Sequence, residues 1–108
     1  MGKTDILQGT LDMLILRLLS NGPMHGWGIA DRIATVSKSA LSVGEGSLYP
    51  SLYRMEQKGW IKAEWSVSDN NRKARYYALT RAGRKQLAEK EQAWADLTQA
   101  IAAIMNSS

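Results

Sequence analysis

The sequence predicts a mainly α fold with one small β-hairpin, an α+β arrangement, on three observations. Apolar residues recur at helical spacing in three short segments before Gly59, the period changes from 3.6 to 2 just after it, and one uninterrupted helical pattern fills the chain from Thr80 onward. At 108 residues the chain is one domain's worth, and its 44% hydrophobic and 22% charged content is that of a globular protein rather than a disordered one.

In the first helix Leu7, Leu11, Leu14, Ile15, Leu18 and Leu19 fall on one broad face. Asn21-Gly22-Pro23 ends it, since Gly accepts the left-handed cap and Pro cannot continue the ladder. Either Asp5 or Thr10 caps its start. The second helix runs from Trp27 to Ser37 with Ile29, Ile33 and Val36 inward. Residues 37–46 are rich in Ser and Gly and read as a connector, with Leu41 to Val43 as a minimal strand. The third helix turns Leu48, Leu52 and Met55 inward and ends at Lys58-Gly59. With Ser47 as its N-cap, Pro50 sits in the first turn, where the missing N–H costs nothing.

Beyond Gly59, Ile61, Ala63, Trp65 and Val67 alternate with Lys62, Glu64 and Ser66 as a half-buried strand. Asp69-Asn70-Asn71 supplies the turn, because Asn and Asp tolerate positive φ, and Ala74 to Leu79 returns. Tyr76 and Tyr77 point to opposite faces, one of them into the core. Thr80 caps a last helix running to Met105, with Leu87, Trp94 and Ile101 every seven residues, Leu97 and Ile104 between them, and only Lys90 interrupting the seam. A helix of roughly 25 residues outruns so small a domain, which calls for a partner subunit along Leu87, Trp94, Leu97, Ile101 and Ile104. Residues 1–79 are therefore read as a helix-and-hairpin domain and 80–108 as a dimerisation helix packed on it.

Fourteen basic and ten acidic residues leave a net +4, and its placement matters more than its size. Seven basic residues (Lys62, Arg72, Lys73, Arg75, Arg81, Arg84, Lys85) against two acidic ones (Glu64, Asp69) give the segment from Lys62 to Lys85 a net +5. A basic stretch on a near-neutral domain is the footprint of a polyanion binder. With no cysteine and one histidine, disulfides, thiolate metal sites, cysteine nucleophiles and multi-histidine centres are excluded. No nucleophile–base pair, carboxylate pair or glycine-rich phosphate loop can be assembled either, so the chain reads as a non-enzyme with no cofactor and no metal. His25 is expected to make a structural hydrogen bond, and Trp27, Trp60 and Trp65 to pack on apolar faces. MGKTDI lacks the apolar core of a signal peptide, Ile6 stands where a myristoylation signal needs Ser or Thr, and the most apolar stretch, Leu11 to Leu19, is broken by Asp12 and Arg17. A cytoplasmic protein with no membrane partner is expected.

Three short helices followed by a basic two-stranded hairpin is the element order of a winged helix-turn-helix, here with a long C-terminal dimerisation helix. In that arrangement the third helix enters the major groove of double-stranded DNA and the hairpin lies along the backbone. The candidate contacts are Ser47, Tyr49, Pro50, Ser51, Tyr53, Arg54 and Lys58 from the third helix, and Arg72, Lys73 and Arg75 from the hairpin. The competing reading, a winged helix used as a protein-interaction module, has no need of three basic residues on one hairpin.

GTLDMLIL followed by HGWGI, then GSLYPSLYRMEQKGWI, then RYYALTRAG resemble, in order and spacing, the first two helices, the recognition helix with its turn, and the wing exit of the PadR-like transcriptional regulators. Together they cover most of residues 9–85. The resemblance implies a cytoplasmic homodimer on operator DNA, usually a repressor, with Tyr49 and Arg54 facing DNA and Arg72, Lys73 and Arg75 holding phosphates. It also implies release by a small effector, often aromatic. Trp94, on the seam, is the candidate for stacking such an effector as well as for anchoring the interface. The chain departs from the family pattern at Gly44-Glu45, where Ser-Pro is common and would cap better, and at the wing tip Asp69-Asn70-Asn71, which lacks the usual glycines.

Overall fold

A computed structural model describes residues 8–67 and 70–108. The elements run α1 (Gln8–Leu19), β1 (Met24–His25), α2 (Gly26–Val36), α3 (Glu45–Gln57), β2 (Ile61–Val67), β3 (Lys73–Leu79) and α4 (Arg81–Met105). α1 buries Leu11, Asp12, Ile15, Leu16 and Leu19, five positions that share one side of a helix. The expected stripe is therefore rotated: Leu16 is fully buried while Leu14 and Leu18 are only partly covered. The cause is Asp12, a charged residue on the inward face. Its side chain, 7% exposed, accepts from Arg54 Nη2 through Oδ1 at 2.5 Å and Oδ2 at 2.6 Å. The helix is already running at Gln8, so Thr10 does not cap it; Leu7 and the alternative cap, Asp5, lie outside the described residues.

α2 is capped by His25, whose Nδ1 accepts from the Gly28 N–H at 2.9 Å, the kind of structural hydrogen bond expected of it. Ile29 and Ile33 turn inward, but Val36 is exposed because the helix stops there, and Lys38 and Ser39, both at positive φ, turn the chain away. Of the strand expected over Leu41 to Val43, only Leu41 forms a bridge.

α3 begins at Glu45 with Gly44 as its N-cap, three residues earlier than a Ser47 cap would allow. The Gly44 carbonyl accepts from the N–H groups of Ser47 and Leu48 at 3.1 and 2.9 Å, and Glu45 sets a carboxylate at the positive end of the helix dipole. Pro50 thus sits inside the helix, and the carbonyl it leaves without a donor belongs to exposed Gly46, where water can take its place. At the other end Gly59, at φ +78, donates to the Glu56 carbonyl and Trp60 to that of Met55, each at 3.0 Å, a Schellman turn that only a residue tolerant of positive φ closes without strain.

β2 and β3 pair antiparallel in one register from Ile61↔Leu79 to Val67↔Lys73. β1, too short to leave a period of two in the sequence, joins the other edge of β3 through Met24↔Tyr77 and His25↔Tyr76, giving the order β1-β3-β2. Asn71 takes the left-handed turn position at φ +62, while Asp69 lies outside the described residues. Tyr77 enters the core and Tyr76 lies on the opposite face. Only the base of the hairpin is covered: Ile61 is buried, whereas Trp65 and Val67, expected to pack, face solvent because no helix lies beneath the outer half. Of the three tryptophans expected to pack, Trp60 does, with the Lys58 and Lys90 ammonium groups 4.7 and 5.2 Å from its ring centroid; Trp27, like Trp65, is exposed.

Thr80 turns the chain from the sheet into α4. Its Oγ1 accepts from the Gly83 N–H at 3.0 Å and donates to the Gly59 carbonyl at 2.6 Å. A Cβ on Gly83 would collide with the Trp60 carbonyl oxygen, so this glycine is what lets α4 seat against the sheet. Leu87 completes a core built from Ile15 and Leu16 of α1, Ile29 and Ile33 of α2, Leu52 and Met55 of α3, and Tyr77 of β3. From Glu91 onward every residue of α4 is exposed.

Arg54→Ala leaves the Asp12 carboxylate buried without its partner. Breaking a fully buried pair from one side costs on the order of 3–5 kcal/mol, and the partial exposure of Arg54 reduces the expected loss to about 2–3 kcal/mol. Urea unfolding should show that loss, and Asp12→Leu combined with Arg54→Met should recover most of it. An Arg54→Ala protein within about 0.5 kcal/mol of the unsubstituted chain would remove the pair from its role in seating α3.

Candidate nucleic-acid interface

With Leu48, Leu52 and Met55 committed to the core, the α3 residues left in solvent are Ser47, Tyr49, Pro50 and Tyr53, followed by Lys58 at the C-cap. Tyr49 is held in place by a missing side chain. A Cβ on Gly26 would come within 2.9 Å of Tyr49 Cε1 and Oη, so glycine at this point lets the first turn of α2 close on the phenol ring. Two of the sequence-predicted contacts are not on this face. Ser51 is 2% exposed; it follows Leu48 by three and precedes Leu52 by one, which is the geometry of the buried stripe. Arg54 points back to α1 and is engaged by Asp12.

The wing presents Arg72, Lys73 and Arg75, all exposed. Arg75 reaches across to α3, where its Nη2 donates to Glu56 Oε2 at 2.8 Å, and its guanidinium lies 5.9 Å from the centroid of the Tyr77 ring. A partly exposed pair of this kind contributes no more than about 1 kcal/mol, yet it ties the wing to α3. Arg75 is accordingly a tether to Glu56, which corrects its reading as a phosphate contact. Burial pushes the Tyr77 phenol above its ordinary value of 10.0, with the charge of Arg75 partly offsetting the rise. Arg72 and Lys73 sit beyond this tether, at the outer end of the hairpin.

Sequence reasoning missed one exposed aromatic group beside this surface. Trp27, in the first turn of α2, is 70% exposed and stacks on His25 with centroids 6.1 Å apart at 23°, while Tyr76 meets His25 edge-on at 5.4 Å. The signal was available in HGWG, where glycines on both sides leave the indole little to pack against.

On α4, Trp94, Leu97, Ile101 and Ile104 are exposed, as is Met105. Leu87 is not part of that surface: at 6% exposure it belongs to the chain's own core, where the start of α4 packs. A cavity of about 330 Å³ opens between α1 and α4 beside Trp94, with Met13, Lys90 and Leu97 in its wall. Arg17 and Glu91, 3.6 Å apart, span the same two helices. Among the described residues no group of three or more His, Asp or Glu side chains could hold a metal ion, and no helix is long and apolar enough to cross a membrane.

Residues 15–89 match the transcriptional regulator PadR-like family. An uncharacterised protein of Lysinibacillus sphaericus is 31% identical over 101 residues, spanning 94% of this chain and 93% of its own length. A transcriptional regulator of Mycobacterium tuberculosis is 32% identical over 87 residues, 81% of this chain and 78% of that protein. The crystal structure of a PadR-like transcriptional regulator from Bacillus cereus superposes with a TM-score of 0.82 at 27% identity, covering 94% of this chain and 97% of the other. The order of helices, the hairpin after α3 and the residues matched agree on one conclusion: the chain is a winged-helix protein of the PadR-like family, a family of transcriptional regulators rather than of enzymes.

Proposed function

We propose that this regulator is a homodimeric, sequence-specific DNA-binding repressor of the cytoplasm, with residues 1–79 as the reading head and 80–108 as the dimerisation helix. The observation that carries DNA binding is the solvent-facing row of Ser47, Tyr49, Pro50 and Tyr53 on α3, standing beside a hairpin whose outer end bears Arg72 and Lys73. A helix fits the major groove; hydroxyl groups on it offer donors and acceptors to base edges, while Lys58, Arg72 and Lys73 neutralise phosphates. Dimerisation is supported by the α4 stripe. A helical half with Trp94, Leu97, Ile101 and Ile104 all in water is marginal alone and gains stability by pairing with a second copy. Trp94 also borders the cavity between α1 and α4, where its indole offers a stacking face to a planar aromatic effector. Such an effector releases DNA by binding more tightly to the arrangement of subunits that fits the operator less well.

Fluorescence anisotropy with a duplex from the region upstream of the protein's own gene tests the DNA contact. Lys73→Ala should weaken specific and random duplexes by similar factors and flatten the slope of log affinity against log salt by about 0.9, whereas Ser47→Ala or Tyr53→Ala should change the preferred sequence. An unchanged salt slope would take Lys73 off the backbone. In sedimentation velocity, Leu97→Asp should convert a dimer to a monomer, because a carboxylate on the stripe opposes burial, and should lower DNA affinity about 100-fold by unlinking the two heads. If Leu97→Asp sediments as a dimer, the subunits meet elsewhere.

A further inference from the structure

Trp27 packs into no core, yet it forms part of a cleft. The space between the start of α2 and the wing measures about 480 Å³ and is lined by His25, Trp27, Arg72, Lys73 and Tyr76, among others. We infer that this cleft clamps one phosphodiester group of duplex DNA, beside the stretch read by α3. The inference deepens the DNA-binding reading given above and rests on it.

Its chemistry fits that ligand. An indole N–H, a phenol, an ammonium and a guanidinium all donate, and no carboxylate of the described residues lines the cleft. A phosphodiester is an anion that only accepts, so each of these groups suits it. His25 adds a donor of fixed identity. Because Nδ1 already accepts from the Gly28 N–H, the neutral ring carries its proton on Nε2, and contacts with Trp27 and Tyr76 hold the ring in place. The Gly28 N–H is itself satisfied by His25, so the side chains and not the end of α2 form the clamp.

The position identifies the occupant as duplex backbone. A second cleft of about 200 Å³ shares His25, Trp27 and Ala74 with the first and extends to Tyr49 on the exposed face of α3. The donor-lined surface is therefore continuous with the helix that reads the groove, and a strand leaving that helix passes over Trp27 before it reaches Lys73.

The test is a double-substitution cycle on a fluorescein-labelled 30-base-pair duplex of random sequence at low salt. Trp27→Ala should bind about tenfold more weakly, the scale of one hydrogen bond to a charged group, while Val36→Ala at the far end of α2 binds as the unsubstituted protein does. Trp27→Ala combined with Lys73→Ala should lose less than the product of the two single losses, because both side chains hold the same phosphate. In the unsubstituted protein, the Trp27 indole N–H resonance, assigned with Trp27→Phe, should shift on addition of the duplex. If the protein binds the duplex but Trp27→Ala binds equally well, or the two losses multiply, or the resonance stays put, the clamp is wrong and DNA reading by α3 stands. If the unsubstituted protein does not bind duplex DNA at all, the DNA-binding reading falls and the clamp with it.

Discussion

One carboxylate–guanidinium contact decides which way two helices face. Asp12 sits on the inward side of α1, and a buried carboxylate is tolerated only with a partner; Arg54 of α3 supplies it. An apolar pair in the same place could be as stable, but it would not fix the rotation of α3 about its own axis, because apolar contacts are non-directional whereas this pair is met through both carboxylate oxygens. With Arg54 held inward, Leu48, Ser51, Leu52 and Met55 follow it toward the core, and Ser47, Tyr49 and Tyr53 are left to solvent. The wing then registers on the helix through Glu56 and Arg75, and α2 through the contact of Gly26 with Tyr49.

The same contacts reassign the protein's charge. The net excess lies between Lys62 and Lys85, yet Arg75 within it is engaged by Glu56, and Arg54 on α3 is engaged by Asp12. A charge used to orient an element inside the fold is a different object from one offered to a polyanion, although composition counts them alike. What remains toward the presumptive duplex is Lys58 at one end of α3, and Arg72 and Lys73 at the far end of the hairpin, with the hydroxyl and aromatic groups of α3 between them.

Much of the fold was legible because local chemistry leaves a signature. Thr80 as a cap, Asn71 at positive φ, the close of α3 at Gly59 and the change of period beyond it all stand where the sequence places them. The misses share a physical reason: each depended on a partner distant in sequence. Asp12 looked like an outward residue because its partner is 42 positions away, and that moved the α1 stripe from Leu16 to Leu14 and sent Arg54 toward DNA. β1 exists only because β3 has an open edge for two residues to join. Trp65 alternates correctly for a buried strand, but alternation does not reveal where the supporting helices end. The start of α3 was misplaced because Pro50 was assigned to a first turn, when an exposed glycine carbonyl one turn earlier makes an interior proline tolerable.

α4 joins these local facts to the larger assembly, since its apolar stripe begins where the chain's own core ends, after Leu87. Two copies joined along that stripe carry two reading heads, and a duplex is met by both only if their spacing matches the helical repeat. Hydroxyl-radical footprinting of the DNA upstream of the gene measures this directly. Two protected segments on one face of the duplex, centred about 34–36 Å apart, are the expected result. A single asymmetric protected segment would contradict a paired arrangement of α3 and its wing.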